Sequence, residues 1–498
     1  MSFIDQMKTE FNLTSTLNGA VTHATSGDAC LDLFAVAGGM RYRKKQDQIR
    51  LFDRAYIENP ELAMKLLFHL RDIRGGMGER TLFRTLLRHV ASVWPESARK
   101  NVRYIAKYGR WDDVLCLMDT PAQEEAIRVI RDQLDKDMES LRRREAGEKD
   151  APISLLAKWL PSINTSSRKT RAQAQKLVSA LGMEAKPYRQ MLSALRAHIA
   201  LTERYLTKKQ AGKISYEAVP AGAMLKYRAA FNRQDGGRYR RYLKDVLQSK
   251  TKMHADTLFP YEILRPYFKG WSWSPENIPG EKTLEALWAS MSCEIGSQNA
   301  LSVIDTSGSM YCGNGIKPAL ISQAMGLYCA ERCKGPFHNL FITFSSWPTL
   351  MEIKGKTLAK KLRYLSTAPW GGSTDLEKVF DLILQTAVKA NAAQDEMPQV
   401  LYIFSDMEFN CAIQRPDETI YENARLSFER AGYQLPAVVF HNVNSWQMQT
   451  PVQAHTKGAA LTSGASVQSL KEPFDGNITP MSHMLRVLNG KRYEVIHA

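Results

Sequence analysis

The sequence predicts a multidomain protein of the α plus α/β class: an all-helical, basic domain over residues 1–290, then a doubly wound, Rossmann-like α/β domain over residues 291–498. Three observations predict it. Apolar residues recur at helical spacing, with almost no strand signal, up to about residue 290. From about residue 297, short apolar strands alternate with amphipathic helices, the pattern of a parallel sheet covered on both faces. The net charge of +16 belongs almost wholly to the first part.

The first clear helix is NPELAMKLLFHLRDI, 59–73, with Leu62, Leu66, Leu67 and Leu70 on one stripe. Asn59-Pro60 supplies a cap followed by proline at the first helical position, and Gly75-Gly76 breaks the run. A second helix spans 79–94, followed by ESARKNVRYIAKYG, WDDVLCLM and a long charged helix over roughly 121–145. Further helices are expected at 169–181, 186–206, 218–232 and 238–250. Short amphipathic helices joined by tight turns suggest a helix-pair array of the HEAT type, although no strict period recurs. Residues 251–290, with four prolines in FPYEILRPYFKGWSWSPENIPGEK, read as a packed connector holding Trp271 and Trp273. Arg71 and Arg74 are expected on the solvent side, lining a channel or pairing with Glu79, and Asp112 and Asp113 as helix caps.

In the second part ALSVID, HNLFITFSS, QVLYIFSDMEF and LPAVVFHNVN are strands. Helices are expected at 317–333, in GKTLAKKLRYLS, at 375–391 and at 419–432. Near-continuous apolar strands are those buried on both faces. Such sheets bind ligands at the carboxyl ends of their strands.

Composition narrows the function classes. The opening residues lack an apolar h-region and no 18-residue apolar run occurs, so the expectation is a cytoplasmic protein with no membrane contact. Seven cysteines at 30, 116, 293, 312, 329, 333 and 411, odd in number and without CxxC, read as reduced thiols. Cys329 and Cys333, one turn apart, read as core-facing. No P-loop, GxGxxG or HExxH is present, and no histidine motif supports Ser307 or Ser309 as a nucleophile, so no catalysis is expected.

Charge is uneven. Residues 301–498 carry 18 Lys+Arg and 17 Asp+Glu, whereas residues 151–250 alone carry 20 and 5. A local basic excess of this size attracts a polyanion, of which nucleic acid is the commonest. Candidate contacts are Arg168, Lys169, Arg171 and Lys176 on one helix, and Lys208 and Lys209 at a helix end. Arg233, Arg238, Arg240, Arg241 and Lys244 follow in KYRAAFNRQDGGRYRRYLK. Tyr227, Phe231, Tyr239 and Tyr242 are interleaved with them, either as base-stacking platforms or as core at helical spacing.

Asp305-Thr306-Ser307-Gly308-Ser309 follows the first strand of the α/β part, where a site belongs. One carboxylate and two hydroxyls at alternate positions offer three hard oxygens to Mg²⁺ or another divalent cation. Thr374 in PWGGSTDLEK and Asp406 in FSDME add two more donors from neighbouring loops. Helix capping would account for the first loop but not for Thr374 and Asp406. DxSxS, then threonine, then aspartate resembles the von Willebrand factor A-type domain and its metal-ion-dependent adhesion site. That resemblance implies a Mg²⁺ held by Asp305, Ser307, Ser309, Thr374 and Asp406, with one position left for a partner's carboxylate.

Nearly the whole chain resembles the Ro (TROVE-module) family and a sister group with the same layout. The residues that carry this are LDLFAVAGGMRYR, HLRDIRGGMGERTLF, YGRWDDVL, DTSGSM, PWGGSTDLEKVFDLIL, SDMEF and MSHMLRVLNGKRYEVI. The resemblance implies a ring of HEAT-like repeats closed by the von Willebrand A domain. It also implies a ribonucleoprotein role in RNA quality control: binding a small noncoding Y-like RNA and structured or misfolded RNA, with a protein partner such as an exonuclease. A metal-dependent protein-interaction adaptor with no RNA role is the other reading of the same residues.

Overall fold

The structure is a computed structural model, and it describes residues 7, 11–199, 201–292, 295, 299–313, 315–412, 415 and 417–498. Cys293 lies outside the described residues.

The helix Pro60–Arg71 starts where its sequence starts it: the Asn59 side chain accepts from the Leu62 amide, and Pro60 occupies the first turn. It stacks between helices Lys45–Glu58 and Arg80–Val93, the latter burying Leu82, Phe83, Leu86, Leu87 and Val90. Each such side chain contributes roughly 2 kcal/mol by leaving water. The long charged helix is Gln123–Glu145. Ser167 caps Arg168–Ala180 by accepting from the Thr170 amide.

Several expectations are corrected. The single helix read over 186–206 is two, Ala185–His198 and Thr202–Thr207, separated at extended Ile199. The two helices read over 218–250 fall within Ala221–Leu247, where they meet at a kink with non-helical backbone at Asp235 (φ −148°, ψ 44°). Tyr216 and Arg238 both hydrogen-bond Asp235 Oδ2 at this kink, at 2.9 and 2.7 Å. Arg71 is not on a solvent face: it is 4% exposed and binds Asp113 at 2.8 Å. Glu79 pairs with Arg41 and not with Arg71 or Arg74. Asp113 accepts from the Arg110 amide, as a capping residue would, but also holds Arg71 and Arg84. Trp273 packs in the connector as expected, with its indole N–H on Gln323 at 2.7 Å, while Trp271 is exposed and stacks on Tyr311. Cys329 and Cys333 are buried.

Strands do occur before residue 290, in two short antiparallel pairs: β1 (Leu13–Ser15) with β2 (Val21–His23), and β3 (Phe268–Lys269) with β4 (Ser272–Trp273). Two- and three-residue strands carry no readable alternation. The first pair lies against the C-terminal part through bridges Gly19 to Asn410 and His23 to Thr450.

The main sheet comprises β5 (Ala300–Asp305), β6 (Leu340–Phe344), β7 (Leu350–Glu352), β8 (Val400–Ser405), β9 (Ala437–Asn442) and β10 (Ala459–Ser463). Its order is β10-β9-β8-β5-β6-β7, parallel except for β7 at the edge. Counted within the sheet this is the doubly wound order 3-2-1-4-5-6. The chain leaves β5 in one direction through β6 and β7, then returns through β8 to β10 in the other. The point of reversal lies between β5 and β8.

Both faces of the sheet are buried, and alternate residues belong to different cores. Leu401 and Ile403 join a core shared with helices between residues 29 and 195. Val400, Tyr402 and Phe404 join a core shared with residues 206–291. The helical part thus packs on both sides of the α/β part. The last ten residues return to the first helices: Asn101 and His497 bond each other, and Glu61 accepts from the Ala498 amide at 2.9 Å. Among the described residues no helix is long and apolar enough to cross a membrane.

Candidate functional site

β5 and β8 are register partners up to Ile304 and Phe404, so the loops after them emerge side by side at the point of reversal. Asp305 closes β5 and Asp406 follows β8. Both are buried, at 0% and 1% exposure. Asp305 accepts from the Ser405 hydroxyl at 2.5 Å and from the Ser307 amide at 2.8 Å. The Ser307 and Ser309 hydroxyls are 3.2 Å apart. Asp406 Oδ1 accepts from the Glu408 amide at 3.3 Å across a turn in which Met407 has φ +66°. Asp406 Oδ2 is buried and accepts no hydrogen bond among the described residues.

The electrostatics follow from this burial. Desolvation raises the Asp305 carboxyl, offset by the donors on Ser405 and Ser307. Desolvation and then the neighbouring Asp305 charge raise Asp406 to about 7, offset by Ser309 and the Glu408 amide. Neither carboxylate has a lysine or arginine within ion-pair distance among the described residues. Two buried carboxylates, one with an orphaned oxygen, are short of positive charge. Among the described residues no three His, Cys, Asp or Glu side chains gather, so a cation here would be held by two carboxylates and hydroxyls. That donor set fits a hard divalent ion such as Mg²⁺, which keeps part of its hydration shell.

Four predicted donors come together directly: Asp305, Ser307, Ser309 and Asp406. Thr374 joins at one remove. Its buried hydroxyl lies 2.7 Å from the Glu408 carbonyl and 2.8 Å from Asn410 Oδ1, and accepts from Asn18 Nδ2 at 3.2 Å. Glu408 links it to Asp406, since its amide faces Asp406 and its carbonyl faces Thr374.

The sequence reading missed the residues that organise these loops. Ser405 is one position before a predicted ligand and carries no motif of its own. Glu408 is buried and accepts from the Leu17 amide at 2.8 Å and Gln449 at 3.0 Å. Asn18 also donates to the Glu408 carbonyl at 2.7 Å. The turn after β1 therefore straps the rim of the site, a contact 356 residues long in sequence with no local signal.

The candidate cations lie on helices Arg168–Ala180 and Ala221–Leu247, which pack into different cores, and just past Thr202–Thr207, and all eleven are exposed. Four have protein partners. Lys176 pairs with Asp119, Arg238 with Asp235, Arg240 bonds Asn232, and Arg171 bonds the Thr165 carbonyl. Arg168, Lys169, Lys208, Lys209, Arg233, Arg241 and Lys244 form no ion pair among the described residues. Of the two readings of the interleaved aromatics, the structure takes the core one for three: Phe231, Tyr239 and Tyr242 are buried in a cluster with Tyr216. Tyr227 is half-buried under Lys226.

The sequence profile of a domain of unknown function, DUF2828, matches residues 16–128 and 166–301, and that of a second, DUF7788, matches 299–484. An uncharacterized protein of Acanthamoeba polyphaga mimivirus is 30% identical over 513 residues, covering 96% of this chain and 87% of its own. Among solved structures, the crystal structure of the Deinococcus radiodurans RO (RSR) protein is similar at a TM-score of 0.39 and 13% identity, covering 93% of this chain and 94% of that one.

Proposed function

We propose that this chain, which belongs to the DUF2828 family, is a non-catalytic RNA-binding protein whose basic helical face holds RNA and whose α/β part recruits a partner at the Asp305–Asp406 site. The observation that carries the reading is the set of seven exposed cations without ion pairs on helices Arg168–Ala180 and Ala221–Leu247 and at the end of Thr202–Thr207. Exposed charges left unpaired gain most from a polyanion, because each phosphate neutralised releases a condensed counterion. The motifs shared with the Ro family point to small noncoding and misfolded RNA as the ligand class. At the other site, Asp305, Ser307, Ser309 and Asp406, with Thr374 behind Glu408, are the residues that would hold Mg²⁺ in a von Willebrand A-type adhesion site. The ion would neutralise two carboxylates and offer an open position to a partner's carboxylate.

The test is sequencing of RNA crosslinked to the full-length protein, beside a variant carrying Arg233→Glu, Arg240→Glu, Arg241→Glu and Lys244→Glu. A discrete RNA enriched on the parent and lost on the variant supports the reading. Its affinity should fall with salt at about 0.7 log units per log unit for each phosphate bound. Background RNA on both proteins overturns it.

The orphaned Asp406 Oδ2 favours a second reading, a metal-dependent adaptor with no RNA role. A protein partner lost on EDTA treatment and in Asp305→Ala, with no RNA crosslinked, would select it.

A further inference from the structure

A cation-rich cleft lies in the helical part, beside the helix Arg168–Ala180 that carries four of the cations read from the sequence. It has a volume of about 650 Å³ and is lined by Arg84, Asp112, Lys158, Trp159, Asn164 and Arg196, among others. A second cleft of about 390 Å³ shares Ser162, Asn164 and Arg196 with it and adds Arg189 and Arg204. Together they are of the size that holds a small organic ligand.

The balance of charge in this place is positive. Asp112 is the one carboxylate on either wall among the described residues. It and the adjacent Asp113 are already shared by three guanidiniums. Arg84 reaches both, Arg110 binds Asp112 through two nitrogens at 2.9 and 2.7 Å, and Arg71 binds Asp113. Arg84 Nη2 lies 2.8 Å from Asp112 Oδ2 but out of hydrogen-bonding alignment, so this buried donor is unsatisfied among the described residues. Nearby Arg80 is held below the usual arginine range, first by burial and then by the charges of Arg110 and Arg84. Lys158 has a long contact to Glu203, at 3.8 Å, and its ammonium lies 5.6 Å from the Trp159 ring centroid.

The walls also carry what an aromatic, hydroxylated ligand needs. Trp159 is half-buried, with the Arg110 guanidinium 4.0 Å from its ring centroid, a stack that fixes the indole plane. Asn164, Thr170 and Gln173 supply amide and hydroxyl groups. Excess guanidinium charge beside an aromatic plane is the pairing that holds a phosphate and a base together.

We propose that the joined clefts bind a phosphate-bearing nucleotide, its phosphate among Arg84, Lys158 and Arg196 and its base against Trp159. The nucleotide belongs either to a single-stranded RNA or to a free mononucleotide, and only the first source rests on the RNA-binding reading above.

The test uses the full-length protein with two probes, a fluorescein-labelled uridine decamer followed by anisotropy and AMP followed by calorimetry. Three variants are compared with the parent: Lys158→Glu with Arg189→Glu, Trp159→Ala, and Arg241→Glu with Lys244→Glu on the outer face. Trp159→Phe, which keeps the ring, checks against loss of folding and should restore binding lost in Trp159→Ala. The cleft variants are expected to weaken whichever probe binds by at least about tenfold, the effect of about 1.4 kcal/mol. AMP bound and the decamer not bound makes the source a free nucleotide, upholding the cleft and overturning the RNA reading. A decamer lost only in the outer-face variant, with AMP unbound, upholds the RNA reading and overturns the cleft. No binding of either probe to the parent overturns both.

Discussion

Arg492 closes a fork on Asp72: its Nη2 donates to Oδ1 at 2.8 Å and its Nε donates to Oδ2. Tyr493 adds a third donor at 3.1 Å, and Tyr108 donates to the Arg492 carbonyl. Asp72 is fully buried, and these donors hold its carboxyl below the ordinary range against the opposing effect of burial. The C-terminal tail is thereby pinned onto Asp72, the C-cap of the helix Pro60–Arg71.

Arg492→Ala should lower unfolding free energy by about 3 kcal/mol, the low end for removing one partner of a buried pair, because Arg492 is itself 43% exposed. Urea denaturation followed by circular dichroism measures it. A change below about 0.5 kcal/mol, the scale of an ordinary surface substitution, would mean that the fork does not hold the tail.

The two glycines beside the fork should differ in severity. A Cβ on Gly75 would meet Arg492 Nε at 2.4 Å, and a side chain can swing away. A Cβ on Gly76 would sit 2.0 Å from the His69 carbonyl oxygen, which is backbone. Gly75→Ala is expected to cost about 1–2 kcal/mol, within the overpacking range, and Gly76→Ala more than about 3 kcal/mol. Equal costs in thermal unfolding would refute the steric account.

Acid should destabilise the fold through three buried histidines. His69, His441 and His483 are held at about 4, about 4 and about 3, in each case mainly by burial. The folded state refuses a proton that the unfolded chain accepts near pH 6.5. Their contribution is therefore complete above pH 6.5 and is lost as pH falls toward 4, by about 2 kcal/mol per histidine at pH 5. His483 also has both ring nitrogens without hydrogen bonds among the described residues. His483→Leu should leave Tm at pH 8 unchanged or higher and lessen its fall toward pH 5. An unaltered pH profile of Tm would show that His483 is not the group involved.

Mg²⁺ should stabilise the parent protein and not Asp305→Ala. At a hundred times its dissociation constant a ligand contributes about 2.7 kcal/mol. Asp406→Asn should raise Tm in EDTA, since it removes one of two buried like charges, while abolishing the Mg²⁺ response. A parent Tm indifferent to Mg²⁺ and EDTA would remove the adhesion-site reading.

The strap over the site can be tested separately. Asn18→Ala removes the donor to Glu408 and Thr374 and should cost about 1–2 kcal/mol. Hydrogen exchange should quicken at the amides of 407–411 before it does in β5. Uniform protection in the variant would show that the strap does not order those loops.

What the sequence by itself determined was whatever is written locally. Asn59-Pro60 set a helix start, the apolar runs around 300, 340, 400 and 437 set buried parallel strands, and Asp305 and Asp406 were placed at strand ends because the strands could be read. The local excess of arginine and lysine after residue 150 was likewise legible as composition. Only the tertiary structure decided which distant residues meet. Nothing near Asn18 announces Thr374, nothing near Asp72 announces Arg492, and edge strand β7 is too short to signal itself. The tertiary packing also chose between two readings of the same aromatics, burying Phe231, Tyr239 and Tyr242 against Tyr216, whereas half-buried Trp159, which no motif marked, lines the cleft. The physical reason is common to all of these. Helical and strand periods are fixed by backbone geometry over a few residues, whereas contacts across hundreds of residues are selected by which buried charges and apolar faces can be satisfied together.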